Sequence, residues 1–493
     1  MLLVADNQTQ HLYGDPFWMR STTAQEFIHT AVRPVQLDLY GQDLLKWVLR
    51  FDGDAAHGPH LPMIHLGDAI NMSCKVEVES FFRLMQDSRT PWLLAPGNHD
   101  GYFFGNEGAN SSWPKACERG GGPADRNDFL RAYLESLVSR YPGVNVASES
   151  GTWQAQPGAA TLLDGIAWRV GGSPWTSFVV QLANISLPGA PQPAYALLLD
   201  TNQYEHSPVL IELPGDGLFD AGSTGSVLSD QLDAAERLLS RHAAERPLVV
   251  LMGHHPYGTL TKAGRLVIDR FRSAYRVPLY VSAHTHKAQY FVNGGSDSSW
   301  LELNLGSILD WSPEYRTLAF RTSPDGRQIE LDAPQHTIKK EWSSPSLFRP
   351  SADAAWEAMP GSARYYLSFR DLSGLLDGER TQESLMNVAL AEMAYSLEKF
   401  PTRSSNRWPS NTGTDPLVLQ AISVATAPAS GLGPKVELMK QLQAFDEERT
   451  AVDSDAHRDY RLQQALWASQ RMHQETRVPD SSDSHIVYPV ETP

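Results

Sequence analysis

Short apolar runs that stop abruptly at polar residues set the rhythm of this chain. Leu2–Ala5, Met63–Leu66, Trp92–Ala95, Leu248–Met252 and Val277–Val281 each read as a buried strand. Apolar positions at helical spacing lie between some of them, over Gln42–Arg50, Val76–Gln86 and Ser229–Ala244. The last of these puts Leu232, Ala235, Leu238 and Leu239 on one face, with Ser229 or Asp230 as its cap. Strands alternating with helices predict an α/β core.

The stretch from 101 to 193 is less regular. It holds a glycine-rich loop at Gly120–Gly122, a predicted helix over Asp128–Arg140 and a strand-like segment over Thr161–Val170. Ala194–Asp200 reads as another core strand. Beyond His286, the runs Gln289–Val292, Trp300–Leu303, Thr317–Arg321 and Ile329–Leu331 predict the second sheet of a sandwich. Near Ile338 the pattern turns helical, over Gln382–Lys399, Leu417–Ala425, Lys435–Glu448 and His457–His473. Leu385, Val388, Ala389 and Met393 have the spacing of a buried helix face. Proline and serine cluster at Ser343–Pro350 and Ser404–Thr414 as loops or linkers, and Pro479–Pro493 reads as a frayed polar tail. The division expected is a catalytic domain over 1–337 and a mostly helical region over 338–493 that caps the core or forms a contact.

Composition narrows the partners. With 493 residues, 41% hydrophobic, and 13 Trp, 17 Tyr and 17 Phe, the chain has ample surface to bury and is not disordered throughout. The formal net charge of −16 repels a long phosphate polyanion, and no cluster of Lys and Arg offers a basic groove. Nucleic acid is therefore not the expected partner. A small phosphorylated substrate is, because bound cations reverse the local field. No run approaches the ~18 apolar residues of a membrane helix, so a soluble chain is expected. Nothing in the sequence sets an oligomeric state.

Only Cys74 and Cys117 occur, without a CxxC pattern. Two unpaired, partly buried thiols are favoured over one disulfide by about two to one. The opening Met-Leu-Leu-Val-Ala is too short for a signal peptide. A core strand at the first residue suggests an upstream leader now absent, a slight lean toward an exported or periplasmic protein; the compartment stays open.

The chemistry sits where the apolar runs end. Asp6 and Gln8 follow the first run, Gly67-Asp68 the second and Gly97-Asn98-His99-Asp100 the third. His254-His255-Pro256 follows the fourth, and His284-Thr285-His286 the fifth. Loops at the strand ends of an open α/β sheet share one crevice. Imidazole suits Zn, Fe and Mn, and carboxylate or amide oxygens suit harder ions. One carboxylate, Asp68, can bridge two ions ~3.5–4 Å apart, and a hydroxide between them can attack phosphorus. His99 stands beside the ligand Asn98, placed to stabilise the transition state or protonate the leaving oxygen. Each motif alone has an ordinary structural explanation; five in register with five strand ends do not.

As a set, Asp6-x-Gln8, Gly67-Asp68, Gly97-Asn98-His99-Asp100, Met252-Gly253-His254-His255-Pro256 and Ala283-His284-Thr285-His286 resembles the calcineurin-like metallophosphoesterase superfamily, over about residues 1–335. Asn304–Trp311 is similar to that family's closing strand and Gly-Ser turn. The resemblance implies a four-layer α/β/β/α sandwich. It implies one metal on Asp6, Asp68 and His286, another on Asp68, Asn98, His254 and His284, and His99 as the catalytic histidine. The first motif is Asp-x-Gln where Asp-x-His is usual, as also in relatives resembling manganese-dependent ADP-ribose/CDP-alcohol diphosphatases. Gln8 can still coordinate through its amide oxygen and favours Mn over Zn. Ala283 stands where glycine is usual.

The expected activity is hydrolysis of a phosphomonoester, phosphodiester or diphosphate bond with two divalent ions, Mn slightly ahead of Zn and Fe. Tyr102, Phe103 and Phe104 are candidates to stack on a flat group of the substrate, with packing of their own loop the competing role. Asn98, His99, His255 and Tyr257 are further candidate substrate contacts, as are Lys262, Arg265, Lys287 and Trp311. Two other readings stand beside this one: a catalytically silent scaffold of the same fold, which an intact cage disfavours, and a nuclease, which the acidic charge disfavours.

Overall fold

The computed structural model describes residues 1–9, 42, 44, 45, 48, 49, 61–101 except 72, and 117. From 121 to 337 it describes all but 157–160, 186–192, 206–223, 276, 287, 294–299, 309–313 and 323–327; beyond that it describes 437, 438, 441 and 485–489. The predicted apolar runs fold as strands: β1 Leu2–Val4, β2 Met63–His65 and β3 Trp92–Leu94. These pair in parallel, β1 with β2 and β2 with β3. Each of their residues is buried, as expected for strands covered on both faces.

A second sheet runs through β4 Ser150–Gln154, β5 Leu163–Arg169, β6 Phe178–Asn184, β7 Ala194–Leu198, β8 Leu248–Met252, β9 Leu279–Ser282, β10 Gln289–Asn293 and β11 Trp300–Asn304. Its eight strands lie in the order β10-β11-β9-β8-β7-β6-β5-β4. Strands β7, β8, β9 and β11 are parallel, and antiparallel strands flank them.

The late strands do not form a sheet of their own as expected. β10 and β11 extend the eight-stranded sheet. β12 Glu314–Thr317 and β15 Gln335–Thr337 instead join β1, in the order β15-β12-β1-β2-β3. β13 Ala319–Thr322 and β14 Gln328–Asp332 pair with β16 His485–Pro489 in a third, antiparallel sheet. The tail read as frayed therefore contributes a strand: the backbone of β14 offers a free edge, and ladder hydrogen bonds outweigh the tail's polar composition.

Among the described residues, four continuous helices flank the sheets: α1 Lys75–Asp87, α2 Arg126–Val138, α3 Ser229–Ser240 and α4 Lys262–Ala274. α2 starts two residues before its predicted position because the Asp125 side chain accepts the Asp128 N–H and caps it. α3 is capped neither by Ser229 nor by Asp230. Its N-cap is Leu228, whose N–H goes to Gln203 Oε1. α4 went unread in the sequence, although Gly264, Ile268 and Phe271 face inward and Thr261 caps Gly264 N–H at 3.0 Å.

Alternation along the large sheet divides two cores. Ile166, Ala196, Leu198, Val250, Met252 and Val281 belong to a core shared with β1–β3, α1 and α2. Tyr195, Leu197, Val249, Leu251 and Tyr280 point the other way, into a core with α3 and α4. The molecule is thus a mixed α/β protein with two large mixed sheets. No helix among the described residues is long and apolar enough to cross a membrane. The predicted C-terminal helices and the domain over 338–493 lie outside the described residues, apart from the short stretches noted.

The two cysteines are bonded to each other, Cys74 at the N-cap of α1 and Cys117 43 residues on, against the expectation of free thiols. Sequence alone could not bring the partners together; the fold sets their Cα atoms 5.1 Å apart. A loop of that length removes considerable freedom from the unfolded chain. Reduction is expected to lower unfolding stability by about 2–4 kcal/mol. Urea melts with and without reductant test this, and identical midpoints would show that the bond constrains nothing.

Candidate metal centre

The ends of β1, β2 and β3 from one sheet, and of β8 and β9 from the other, come together. The crevice thus lies between two sheets rather than along the ends of one. Backbone bonds tie the loops to each other: Asp6 N–H to Gly67 O at 3.0 Å, Gln8 N–H to Asp68 O at 2.9 Å and Ala283 N–H to His254 O at 2.8 Å. Ser307, in the Gly-Ser turn, donates its hydroxyl to Asp6 O at 2.9 Å. Glycine is obligatory where the second and third loops meet. A Cβ on Gly97 would lie 2.2 Å from Asp68 Oδ1, and one on Gly67 would lie 2.5 Å from Gly97 N.

Asp6, Gln8, Asp68, His284 and His286 all adopt left-handed backbone, with φ of 53°, 42°, 52°, 70° and 58°. For non-glycine residues this costs about 1–3 kcal/mol each and persists only where surrounding structure enforces it.

Two sets of side chains converge: Asp68, His254 and His284, and Asp6, Asp68 and His286. Within each set the potential ligand atoms lie within 4.8 Å of one another. Asp68 belongs to both. Asn98 Oδ1 sits 3.0 Å from His254 Nε2 and 3.0 Å from His284 Nδ1. His254 Nδ1 lies 2.7 Å from the Leu66 carbonyl, which makes it the protonated nitrogen and turns Nε2 into the cluster. His286 Nε2 is 3.2 Å from Asp6 Oδ1. Gln8 Nε2 donates to Asp68 Oδ2 at 3.4 Å.

Electrostatics follow from this crowding. Burial opposes ionisation of Asp68, yet His254, His99 and His284 hold its carboxyl well below the ordinary range. Burial also pushes His254 down, but Asp68 outweighs it and raises the imidazole to about 9. His284 is lowered to about 3 by burial and by His254. Asp6 is fully buried, and neither of its carboxylate oxygens accepts a hydrogen bond among the described residues. Gln8 Oε1 is likewise buried and accepts no hydrogen bond among the described residues. Buried oxygens in this condition, beside imidazoles, fit divalent cations as their missing partners.

His99 is oriented by its neighbours. Its Nδ1 lies 2.7 Å from Asn71 O, its N–H donates to Asp68 Oδ1 at 2.9 Å, and its Nε2 is 3.9 Å from Asp68 Oδ2. His255 lies fully buried, with Nδ1 2.9 Å from Thr201 Oγ1 and its ring 4.5 Å from that of His284. Burial, then His284 and His254, keeps it neutral. Tyr257 is not brought to the cluster: its hydroxyl donates to Asp269 and its ring packs on Trp300 in the outer core. Lys262 begins α4, and Arg265 donates to the carbonyls of Gly258 and Leu260. Tyr102, Phe103, Phe104, Lys287 and Trp311 lie outside the described residues.

Some participants carried no role in the sequence reading. Asp100 accepts the N–H groups of Ala69, Ile70 and Gly97 at 2.8, 3.2 and 2.8 Å, clamping two ligand loops. Burial and the nearby Asp68 raise its carboxyl to about 7. Asp200, Thr201 and Asn202 follow β7 as other polar residues follow the ligand-bearing strands, a signal open to reading. Asp200 pairs with the buried Arg126, and Asn202 donates to Pro96 O at 2.9 Å.

No family model matches the chain, and no curated protein matches it. One solved structure, of GAP50, the anchor in the inner membrane complex of Plasmodium, is similar over 73% of this chain and 94% of its own, at 10% identity. Its TM-score of 0.27 is too low to carry an argument.

The close approach at Gly97 yields a direct expectation. Gly97→Ala should displace Asp68 and destabilise the fold by about 1–3 kcal/mol. Thermal unfolding beside a metal titration checks it, and wild-type behaviour in both would count against the described packing.

Proposed function

We propose that this protein is a dinuclear metal-dependent phosphohydrolase of the calcineurin-like type, acting on a small phosphorylated substrate. The observation that carries the reading is Asp68, one buried carboxylate common to two convergent ligand sets. The two cores, one between the sheets with α1 and α2 and one beneath α3 and α4, support a four-layer arrangement. Asp6, Gln8, Asp68 and His286 would hold one ion, and Asp68, Asn98, His254 and His284 the other. Gln8 would turn its unpartnered amide oxygen to the first ion, a choice of oxygen over imidazole that favours Mn. Bound there, two divalent ions supply an acidified water as nucleophile and a positive clamp on the phosphoryl oxygens.

The chain's own part in the chemistry falls to His99. Its Nδ1 lies 2.7 Å from the Asn71 carbonyl, which makes Nδ1 a protonated nitrogen and fixes the ring. Its Nε2 faces the cluster, 3.9 Å from Asp68 Oδ2, where the doubly protonated ring would give its Nε2 proton to the departing oxygen. The Cys74–Cys117 bond favours an oxidising compartment, in keeping with an exported protein.

Purified protein with Mn, Zn or Fe should hydrolyse members of a panel of aryl phosphates, bis-aryl phosphates and nucleotide diphosphates. His99→Ala should lower kcat by about 100-fold or more while retaining metal, and Asp68→Ala should lose both metal and activity. Inert wild-type protein across every metal and substrate would end the proposal. A chelator should strip the Asp6–His286 ion first, because that set has one imidazole and the other has two. Mass spectrometry of metal per chain during the titration reads the order, and simultaneous loss would contradict it.

A further inference from the structure

A buried histidine outside the chemistry above touches the first ligand loop, the second, and the backbone entering the third. His65 ends β2, is fully buried, and packs edge-on against Phe81 with ring centroids 5.5 Å apart. Gly67 N–H donates to its Nδ1 at 3.1 Å, so Nδ1 carries the lone pair and Nε2 the proton. That proton is donated to Asn7 Oδ1 at 2.7 Å. Asn7 is held at its other end too, its Nδ2 donating to Thr9 Oγ1 at 2.8 Å and Ala69 O at 3.2 Å. The His65 carbonyl accepts Ala95 N–H at 2.9 Å, at the start of the segment leading to Gly97.

Asn7 stands between Asp6 and Gln8, both in left-handed backbone. A loop strained on both sides of one residue needs that residue pinned. We infer that His65 is a positioning residue for the Asp6–His286 half of the centre. Its rigid ring presents one acceptor to the Asp68 loop and one donor to the Asp6 loop, and so sets the spacing between the two carboxylates. The bond from Gly67 also occupies the lone pair at Nδ1, which bars this imidazole from competing for an ion. The inference rests on the metal-centre reading.

The test uses the full-length chain loaded with Mn. Metal per chain is read by mass spectrometry during a chelator titration, and thermal unfolding is followed with and without Mn. His65→Gln keeps a donor at the ε position for Asn7, whereas His65→Asn keeps only an acceptor at the δ position for Gly67. His65→Asn should lose the first-released ion about 10–100-fold more readily than wild type, with the second ion retained. His65→Gln, which keeps the donor to Asn7 but leaves Gly67 N–H without its acceptor, should fall between His65→Asn and wild type. Asn7→Leu should reproduce the His65→Asn loss, and the double variant should add little to it. If His65→Asn releases its ions like wild type, or if His65→Gln and His65→Asn fail alike, the positioning role is overturned while the metal centre stands. If wild-type protein binds no divalent ion, both are overturned.

Discussion

The carboxylate of Asp68 lies buried where the two large sheets meet, and the surrounding loops are built around it. A carboxylate there is costly unless countercharges and donors reach it. His254, raised to about 9, supplies positive charge, and the His99 N–H and Gln8 amide supply donors. The space it needs comes from Gly97, where any side chain would collide with it. Its loop is held by Asp100, which takes two N–H groups from just beyond Asp68 and one from Gly97. The parallel strands matter chiefly because their ends bring these groups within reach.

Strained backbone is the corollary. Five of the candidate ligands have positive φ without being glycine, and they hold that geometry through bonds from other loops. The Gly-Ser turn reaches back to Asp6, β9 is bonded to the His254 loop, and His65 joins the Asp6 and Asp68 loops through Asn7. His99 depends on a further support. Asn71 O lies against its ring nitrogen, and Ser73, itself at φ 59°, donates its hydroxyl to the His99 carbonyl at 2.6 Å. The disulfide begins at the next residue, so the covalent link fastens the segment that orients His99. Preorganisation of this kind is spread over many residues outside the candidate ligand sets.

The strands that end at the site were legible because a buried parallel strand leaves an unbroken apolar run, as at Leu2–Val4 and Leu248–Met252. The candidate ligands were legible because each follows such a run. α4 was missed because its inward face carries a glycine, with only Ile268 and Phe271 as large buried apolar residues. Asp100, Asn7 and His65 stood in or beside the motifs without a role, since their partners are backbone groups and amides of other loops. Tyr257 was drawn toward the site by its closeness in sequence to His254, whereas the turn after Pro256 carries it to Asp269.

Hydrophobic periodicity and the strand-end motifs therefore determined, from the sequence by itself, the α/β class and the residues that gather at one place. Both are local properties, written in the spacing of side chains along one strand or loop. Tertiary structure alone decided that the gathering spans two sheets, that β12 and β15 return to β1, that β16 completes β14, and that Cys74 meets Cys117. These are pairings across tens to hundreds of residues, chosen by which edges and faces remain to be covered once the local elements exist, and no short window of sequence records that choice.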